Sequence, residues 1–118
     1  MKKRILLVED EKPLCLLYQE ELSGEGYEVT AVTDAEAALA KLGQAEFDLI
    51  ITDIRMPGKN GIDLITQIMG LRKDIPIIIN SAYQSYKEDF MTWAADAYVV
   101  KSSSLDELKA RIRQLLGE

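Results

Sequence analysis

Residues 4–10 read Arg4-Ile5-Leu6-Leu7-Val8-Glu9-Asp10, an apolar run of strand length that ends in two carboxylates. Four more runs of similar length follow, and three of them also lead into a polar or charged residue. These are 49–52 before Asp53, 75–80 before Ser81 and 97–100 before Lys101, while the run at 28–32 leads into no ionic group. If the five runs are parallel strands, their carboxyl ends meet at the edge of the sheet where open α/β folds bind ligands.

Segments of helix length separate these runs and show start and stop signals. Pro13 stands in the first turn of the first segment, and Gly24 and Gly26 end that segment. Two segments begin with capping-box patterns, Thr33 with Glu36 and Ser104 with Glu107. These signals predict helices after the first, second and fifth strands.

Apolar side chains recur at helical spacing within the segments, which predicts one buried face on each helix. They are Leu14, Leu17, Tyr18 and Leu22; Ala38, Leu39 and Leu42; Ile62, Ile65, Ile68 and Met69; Tyr86, Phe90 and Trp93; and Leu105, Leu108, Ile112 and Leu115. The fourth segment, around 85–94, is otherwise polar. Strands that alternate with helices predict a single α/β domain over residues 1–118, with a parallel five-stranded sheet covered on both faces by five helices.

The composition excludes several classes of function. The chain has no histidine, which removes Ser-His-Asp and Cys-His catalysis as well as zinc sites that need imidazole. A net charge of −6 argues against direct binding to nucleic acid. No apolar run approaches the roughly 20 residues of a membrane span. The lone Cys15 fits a reducing compartment, so we expect a cytoplasmic protein.

Each polar residue at the predicted edge also has an ordinary structural explanation. Asp10 could cap a helix, Asp53 could begin a turn, and Lys101 could be a solvated strand end. Tyr98 could simply be a core aromatic. A cluster of three carboxylates should nevertheless repel itself, so the coincidence of these groups at one edge favours a bound divalent cation beside a reactive aspartate.

The chain resembles the receiver domains of two-component response regulators over essentially its whole length. The resemblance rests on an ordered set: Glu9-Asp10, Asp53-Ile54-Arg55-Met56-Pro57-Gly58 with Gly61, Ser81-Ala82, and Lys101. It implies a flavodoxin-like sheet of order 2-1-3-4-5, the strand order of a chemotaxis member of the same family. It also implies that Asp53 receives a phosphoryl group from the phosphohistidine of a sensor kinase or phosphotransfer protein.

The resemblance assigns a role to each residue of the set. Asp10, Asp53 and the backbone carbonyl of Arg55 would hold Mg²⁺, and Glu9 would support a metal-bound water. Lys101 would pair with the phosphoryl oxygens, Ser81 would donate a hydrogen bond to one of them, and Ala82 would leave the approach open. Tyr98 would turn inward as the loop after the fourth strand shifts. The fourth helix, fifth strand and fifth helix would then contact a downstream effector protein or a fused effector domain.

Two local features set this chain apart within that family pattern. Proline usually follows the lysine in a cis peptide, whereas Ser102 follows Lys101 here, so we expect a trans bond. Arg55 and Tyr83 would flank the approach of water to a phosphorylated Asp53. Both are large, and neither has a carboxylate or amide to orient the water, so we predict slow dephosphorylation that Arg55→Ala and Tyr83→Ala each accelerate.

Three other functions compete with this interpretation. Phosphohydrolases of the haloacid-dehalogenase type carry a second acidic residue two positions after the nucleophilic aspartate. In this chain Arg55 occupies that position. A flavodoxin-like FMN carrier would need a phosphate-binding loop after the first strand, and Glu9, Asp10 and Glu11 would repel phosphate. A receiver-like domain that signals without phosphorylation is disfavoured because the acidic, hydroxyl and lysine set is complete. We therefore expect a signalling domain that catalyses only its own phosphorylation and dephosphorylation.

Overall fold

Five parallel strands form the centre of the molecule. The computed structural model describes residues 2–53, 67, 75–81, 96–101 and 104–118. The strands are β1 (Arg4–Val8), β2 (Glu28–Val32), β3 (Leu49–Thr52), β4 (Ile77–Ser81) and β5 (Ala97–Val100). They lie in the order β2-β1-β3-β4-β5, which confirms the predicted fold class and strand order.

The register of the sheet brings the strand ends level with one another. Val8 pairs with both Val32 and Thr52, Thr52 pairs with Ile79, and Ser81 pairs with Val100. The residues that follow β1, β3 and β5 therefore leave the sheet at the same edge. The bounds predicted for β4 were partly wrong: the strand begins at Ile77 rather than residue 75 and includes Ser81, because Ser81 still pairs with β5.

Three helices lie among the described residues: α1 (Lys12–Gly24), α2 (Ala35–Gln44) and α3 (Asp106–Leu115). Pro13 lies in the first turn of α1, as predicted, and Gly26 follows the helix with a φ of 98°, a left-handed conformation that glycine adopts without strain. The third and fourth predicted helices fall on residues outside the described ranges.

Both capping-box predictions were wrong by one residue or more. The cap of α2 is Asp34, not Thr33, and Asp34 Oδ1 accepts a hydrogen bond of 2.7 Å from the backbone N–H of Ala37. A carboxylate is the stronger acceptor, and it also favours the positive end of the helix dipole. The last helix begins at Asp106, and Ser104 Oγ accepts from the Asp106 N–H at 3.2 Å, a turn that precedes the helix.

Apolar side chains pack on both faces of the sheet. One cluster joins α2 to the strands through Ala38, Leu42, Ile50 and Tyr98. The other joins α1 and α3 to the opposite face and includes Cys15, Tyr18, Leu22, Leu108 and Ile112. The predicted face of α1 was partly wrong, because Leu17 is 47% exposed while Cys15 is buried. The buried stripe of α1 therefore runs through residues 15, 18 and 22, which are spaced by three and four positions.

Candidate functional site

The ends of β1 and β3 fix two of the carboxylates. The backbone N–H of Glu9 donates to the carbonyl of Val32 at 3.0 Å, and the N–H of Asp53 donates to the carbonyl of Val8 at 3.3 Å. Successive side chains of a strand alternate between faces, so Glu9 lies on the face of Leu7, and Asp53 on that of Ile51. Both are therefore on the face of the sheet that α1 and α3 cover.

Lys101 connects these two carboxylates. Its Nζ atom lies 2.6 Å from Glu9 Oε1 and 2.7 Å from Asp53 Oδ2. The three side chains are only 12%, 2% and 9% exposed for Lys101, Glu9 and Asp53, so the contacts are shielded from water. The backbone N–H of Lys101 donates to the Ser81 carbonyl at 2.7 Å. This bond fixes the backbone position from which the lysine side chain extends.

The environment shifts the pKa values of Lys101 and Glu9. Burial alone would lower the pKa of Lys101, but the hydrogen bonds to Asp53 and Glu9 outweigh burial and raise it. The ammonium is therefore charged at neutral pH. Burial raises the pKa of Glu9, and the hydrogen bonds from Lys101 and from the Glu11 backbone N–H offset part of that increase. The Glu11 N–H donates to Glu9 Oε2 at 3.1 Å.

Asp10 completes a group of three carboxylates that fits a hard divalent cation. Glu9, Asp10 and Asp53 each offer one oxygen, and these oxygens lie within 4.8 Å of one another. Oxygen-only ligands, few carboxylates and room for water are what Mg²⁺ requires. Among the described residues of this cluster, one ammonium stands against three carboxylates, which leaves an excess of negative charge that a dication would neutralise.

The remaining predicted residues divide into two groups. Ser81 is fully buried at the end of β4, and Tyr98 is buried in the cluster that includes Ile79. Outside the described residues lie Arg55, Ala82, Tyr83 and Ser102. The predictions made for the Arg55 carbonyl, for access of water and for the Lys101–Ser102 peptide therefore stay predictions.

Three features of the site were not predicted from the sequence. The direct pairing of Lys101 with Glu9 was missed, because Lys101 was expected to pair only with phosphoryl oxygens. The Thr52 hydroxyl donates to the Asp53 carbonyl at 3.0 Å. Asn80 is buried near the end of β4, and its signal in the sequence was an amide within an otherwise apolar strand.

Comparison with known sequences identifies the family to which the chain is similar. The family profile of the response regulator receiver domain matches residues 5–113. The chain is 36% identical over 115 residues to the two-component response regulator PhoP of Pseudomonas aeruginosa, covering 96% of this chain and 51% of that protein. It is 39% identical to the sensory transduction protein RegX3 of Mycobacterium bovis, covering 95% of this chain and 50% of that one. The chain thus spans about half the length of the curated relatives it matches.

Solved structures show the same similarity. The response regulator protein TrrA of Thermotoga maritima, in complex with Mg²⁺ and BeF, superposes with a TM-score of 0.91 at 45% identity, covering 96% of this chain and 98% of that one. A chain in the complex of histidine kinase ThkA with TrrA superposes with a TM-score of 0.89 at 46% identity, covering 97% and 98%. Within the part of the chain that the structure describes, no helix is long and apolar enough to cross a membrane.

Proposed function

Because the chain belongs to the response regulator receiver domain family, we propose that Asp53 is the phosphoacceptor of a two-component system. One observation carries the proposal: the Asp53 carboxylate lies at the carboxyl end of β3, 2.7 Å from an ammonium and beside two further carboxylates. In the reaction, an Asp53 oxygen attacks the phosphorus of a phosphohistidine. The O–P bond forms, and the P–N bond breaks with its electron pair returning to the imidazole.

Lys101 supplies the charge that this transfer requires. Phosphoryl transfer depends mainly on positioning and on neutralising the negative charge that spreads over the phosphoryl oxygens. Lys101 already contacts the oxygen of Asp53 at 2.7 Å, and the hydrogen bonds to Asp53 and Glu9 keep it protonated. The ammonium moves from the carboxylate to a phosphoryl oxygen as the new bond forms. Glu9, which lies 2.6 Å from the ammonium before the reaction, restrains that movement.

Mg²⁺ is the cofactor that the acidic residues would hold. Oxygens of Asp10 and Asp53 would bind it together with the Arg55 carbonyl, and Glu9 would orient one of its waters. The bound ion would neutralise phosphoryl charge during transfer. Support comes from the grouping of the three carboxylate oxygens and from the Mg²⁺–BeF complex of the similar TrrA.

Ser81 and Tyr98 are the proposed switch. Ser81 stands one residue past Asn80 at the end of β4, and its hydroxyl donates to a phosphoryl oxygen once Asp53 is modified. The resulting shift would be transmitted to Tyr98 on the neighbouring strand β5. In this structure the Tyr98 side chain is packed inward, in the cluster that includes Ile79. The surface formed by the fourth predicted helix, β5 and α3 then binds an effector.

The partners follow from this chemistry. The phosphoryl donor is a sensor histidine kinase or a phosphotransfer protein, as the complex of TrrA with ThkA supports. The recipient of the signal is a separate effector or a fused effector domain. The domain acts on no separate substrate, so its catalysis is confined to its own phosphorylation and dephosphorylation, and we treat residues 1–118 as one receiver unit.

The test is phosphorylation by a small donor. Acetyl phosphate with Mg²⁺ should add the mass of one phosphoryl group to the wild-type protein, and Asp53→Asn should abolish the addition. Asp48→Asn is the matched control, because Asp48 precedes β3 and binds the Arg4 N–H at the opposite edge of the sheet. Equal addition to the Asp53→Asn variant would place the acceptor elsewhere. No addition to the wild type would instead support a domain that signals without phosphorylation.

A further inference from the structure

Asn80 is a polar side chain in a place that favours an apolar one. It is only 4% exposed, and it follows two positions after Ile78 on the sheet face that α1 and α3 cover. Its partner in the register of β5 is Val99, which is buried in the same cluster. No hydrogen bond joins the Asn80 side-chain amide to another residue within the described ranges. No side-chain nitrogen or oxygen among the described residues is both fully buried and without a hydrogen-bond partner, so the amide is not an unsatisfied polar group.

The register places Asn80 between the two charged groups of the proposed reaction. Thr52 pairs with Ile79, so Asp53 and Asn80 come next on adjacent strands and lie level with each other on the same face. On the other side, Lys101 lies two residues beyond Val99, the partner of Asn80. Lys101 follows β5 and reaches Asp53 at the end of β3, so its side chain crosses the end of β4 above Asn80.

The hydrogen-bonding capacity of Lys101 gives the amide a role. An ammonium has three N–H donors, and Glu9 and Asp53 accept from two of them. When Asp53 forms a bond to phosphorus, the ammonium moves to a phosphoryl oxygen and its aim depends on the groups that remain around it. An amide carbonyl beneath the lysine can accept a hydrogen bond, whereas the apolar neighbours Ile78 and Val99 cannot.

We propose that Asn80 is a positioning residue whose side-chain oxygen accepts a hydrogen bond from the Lys101 ammonium when Asp53 is phosphorylated. The inference rests on the proposed function, because it concerns the phosphorylated state of the same site. It also gives a role to an amide at an otherwise apolar position of the strand.

Asn80→Leu tests the proposal because leucine has nearly the shape of asparagine without its polar atoms. This variant should not lower the midpoint of thermal unfolding, because leucine suits the apolar neighbours Ile78 and Val99. It should also slow phosphoryl addition from acetyl phosphate with Mg²⁺ by about tenfold, the loss expected for one hydrogen bond to a charged group. Asn80→Thr, which retains an oxygen acceptor, should recover much of the rate.

The control is Ile78→Val, which removes one buried methylene group from the same strand face. It should lower the thermal midpoint and leave the rate of phosphoryl addition unchanged. A purely structural role for Asn80 would instead reduce stability and rate together in Asn80→Leu, so a slower rate without a loss of stability distinguishes positioning from packing.

A direct readout is the ¹H–¹⁵N NMR signal of the Lys101 ammonium in the presence of Mg²⁺ and beryllofluoride. The signal should be sharp in the wild type and in Asn80→Thr, and broadened or lost in Asn80→Leu as proton exchange with water accelerates. An Asn80→Leu variant with the wild-type rate and the wild-type signal would overturn the inference and leave the proposed function intact. A wild-type protein that accepts no phosphoryl group would overturn both.

Discussion

At the scale of single residues, the site is defined by an imbalance of charge. Lys101 neutralises part of the negative charge by contacting Glu9 and Asp53, but Asp10 adds a third carboxylate to the group. Removing either member of a buried ion pair is costly, because the remaining charge has lost its partner. We therefore expect the unphosphorylated protein to gain stability from a divalent cation that binds among these carboxylates.

This imbalance predicts the effect of Mg²⁺ on unfolding. At ten times its dissociation constant, Mg²⁺ should raise the free energy of unfolding of the wild type by roughly 1.4 kcal/mol. Asp10→Asn should stabilise the metal-free protein, because it removes one of the repelling charges, and should weaken the response to Mg²⁺. Thermal melts with EDTA and with increasing Mg²⁺ measure both effects. Melting curves that ignore Mg²⁺ in both proteins would contradict the prediction.

The identities of Glu9, Asp53 and Lys101 were accessible from the sequence because each directly follows an apolar run. Parallel strands bring such positions to one edge without any knowledge of side-chain conformation. The 2.6 Å contact of Lys101 with Glu9 was not accessible, since it depends on how far a lysine extends across the intervening strands β3 and β4. Asn80 was missed because a single amide does not interrupt an apolar pattern.

At the scale of secondary-structure elements, the start of α2 allows two candidate helix caps, Asp34 and Thr33, to be compared. Asp34→Ala should lower the free energy of unfolding by about 1 kcal/mol, because Asp34 Oδ1 accepts the N–H of Ala37 at 2.7 Å. Thr33→Ala, at the neighbouring position that the sequence pattern favoured, should change it by less than about half of that. Urea unfolding of the two variants measures the difference. An equal loss in both would show that Thr33 shares the capping role.

Tyr27, just before β2, is hydrogen-bonded to Glu118, which follows α3. This contact predicts that the stability of the protein falls at alkaline pH. Tyr27 donates a hydrogen bond of 2.7 Å to Glu118 Oε1, and burial together with this bond raises the pKa of Tyr27 to about 12. The folded state therefore holds the phenolic proton more tightly than the unfolded state. The stabilisation is complete below about pH 10 and is lost as the pH rises towards 12.

Tyr27→Phe removes this titration. The free energy of unfolding of the wild type should fall more steeply between pH 10 and 12 than that of the variant. Tyr18→Phe is a suitable control, because Tyr18 is also buried but lies in α1, in the cluster beneath the sheet. Parallel pH curves for the wild type and Tyr27→Phe would refute the proposed linkage.

Helix ends and helix faces were predicted less accurately than the strands. Thr33 and Asp34 are adjacent possible caps, and the choice between them depends on backbone conformation that composition does not specify. Similarly, Leu17 and Cys15 both fit a helical period, and packing of α1 against β1 decided that Cys15 is buried. Local signals thus predict that a helix exists, while tertiary packing determines its first residue and its buried stripe.

At the scale of the whole molecule, the sheet order creates the site. β1 and β3 are neighbours although β2 lies between them in the sequence, so Glu9 and Asp53 become adjacent. Hydrophobic periodicity predicted a parallel sheet, but several strand orders satisfy that pattern. The order 2-1-3-4-5 came from the resemblance to receiver domains, because strand order depends on long-range contacts that a short sequence window does not contain.

The most direct test of the central claim is to locate the phosphoryl group on the chain. The protein is treated with acetyl phosphate and Mg²⁺, and borohydride then reduces the aspartyl phosphate to homoserine, which peptide mass spectrometry identifies. We predict homoserine in place of Asp53 in the complete reaction and none when EDTA replaces Mg²⁺. Unmodified Asp53, or modification at Asp10 or any other residue, would contradict the account.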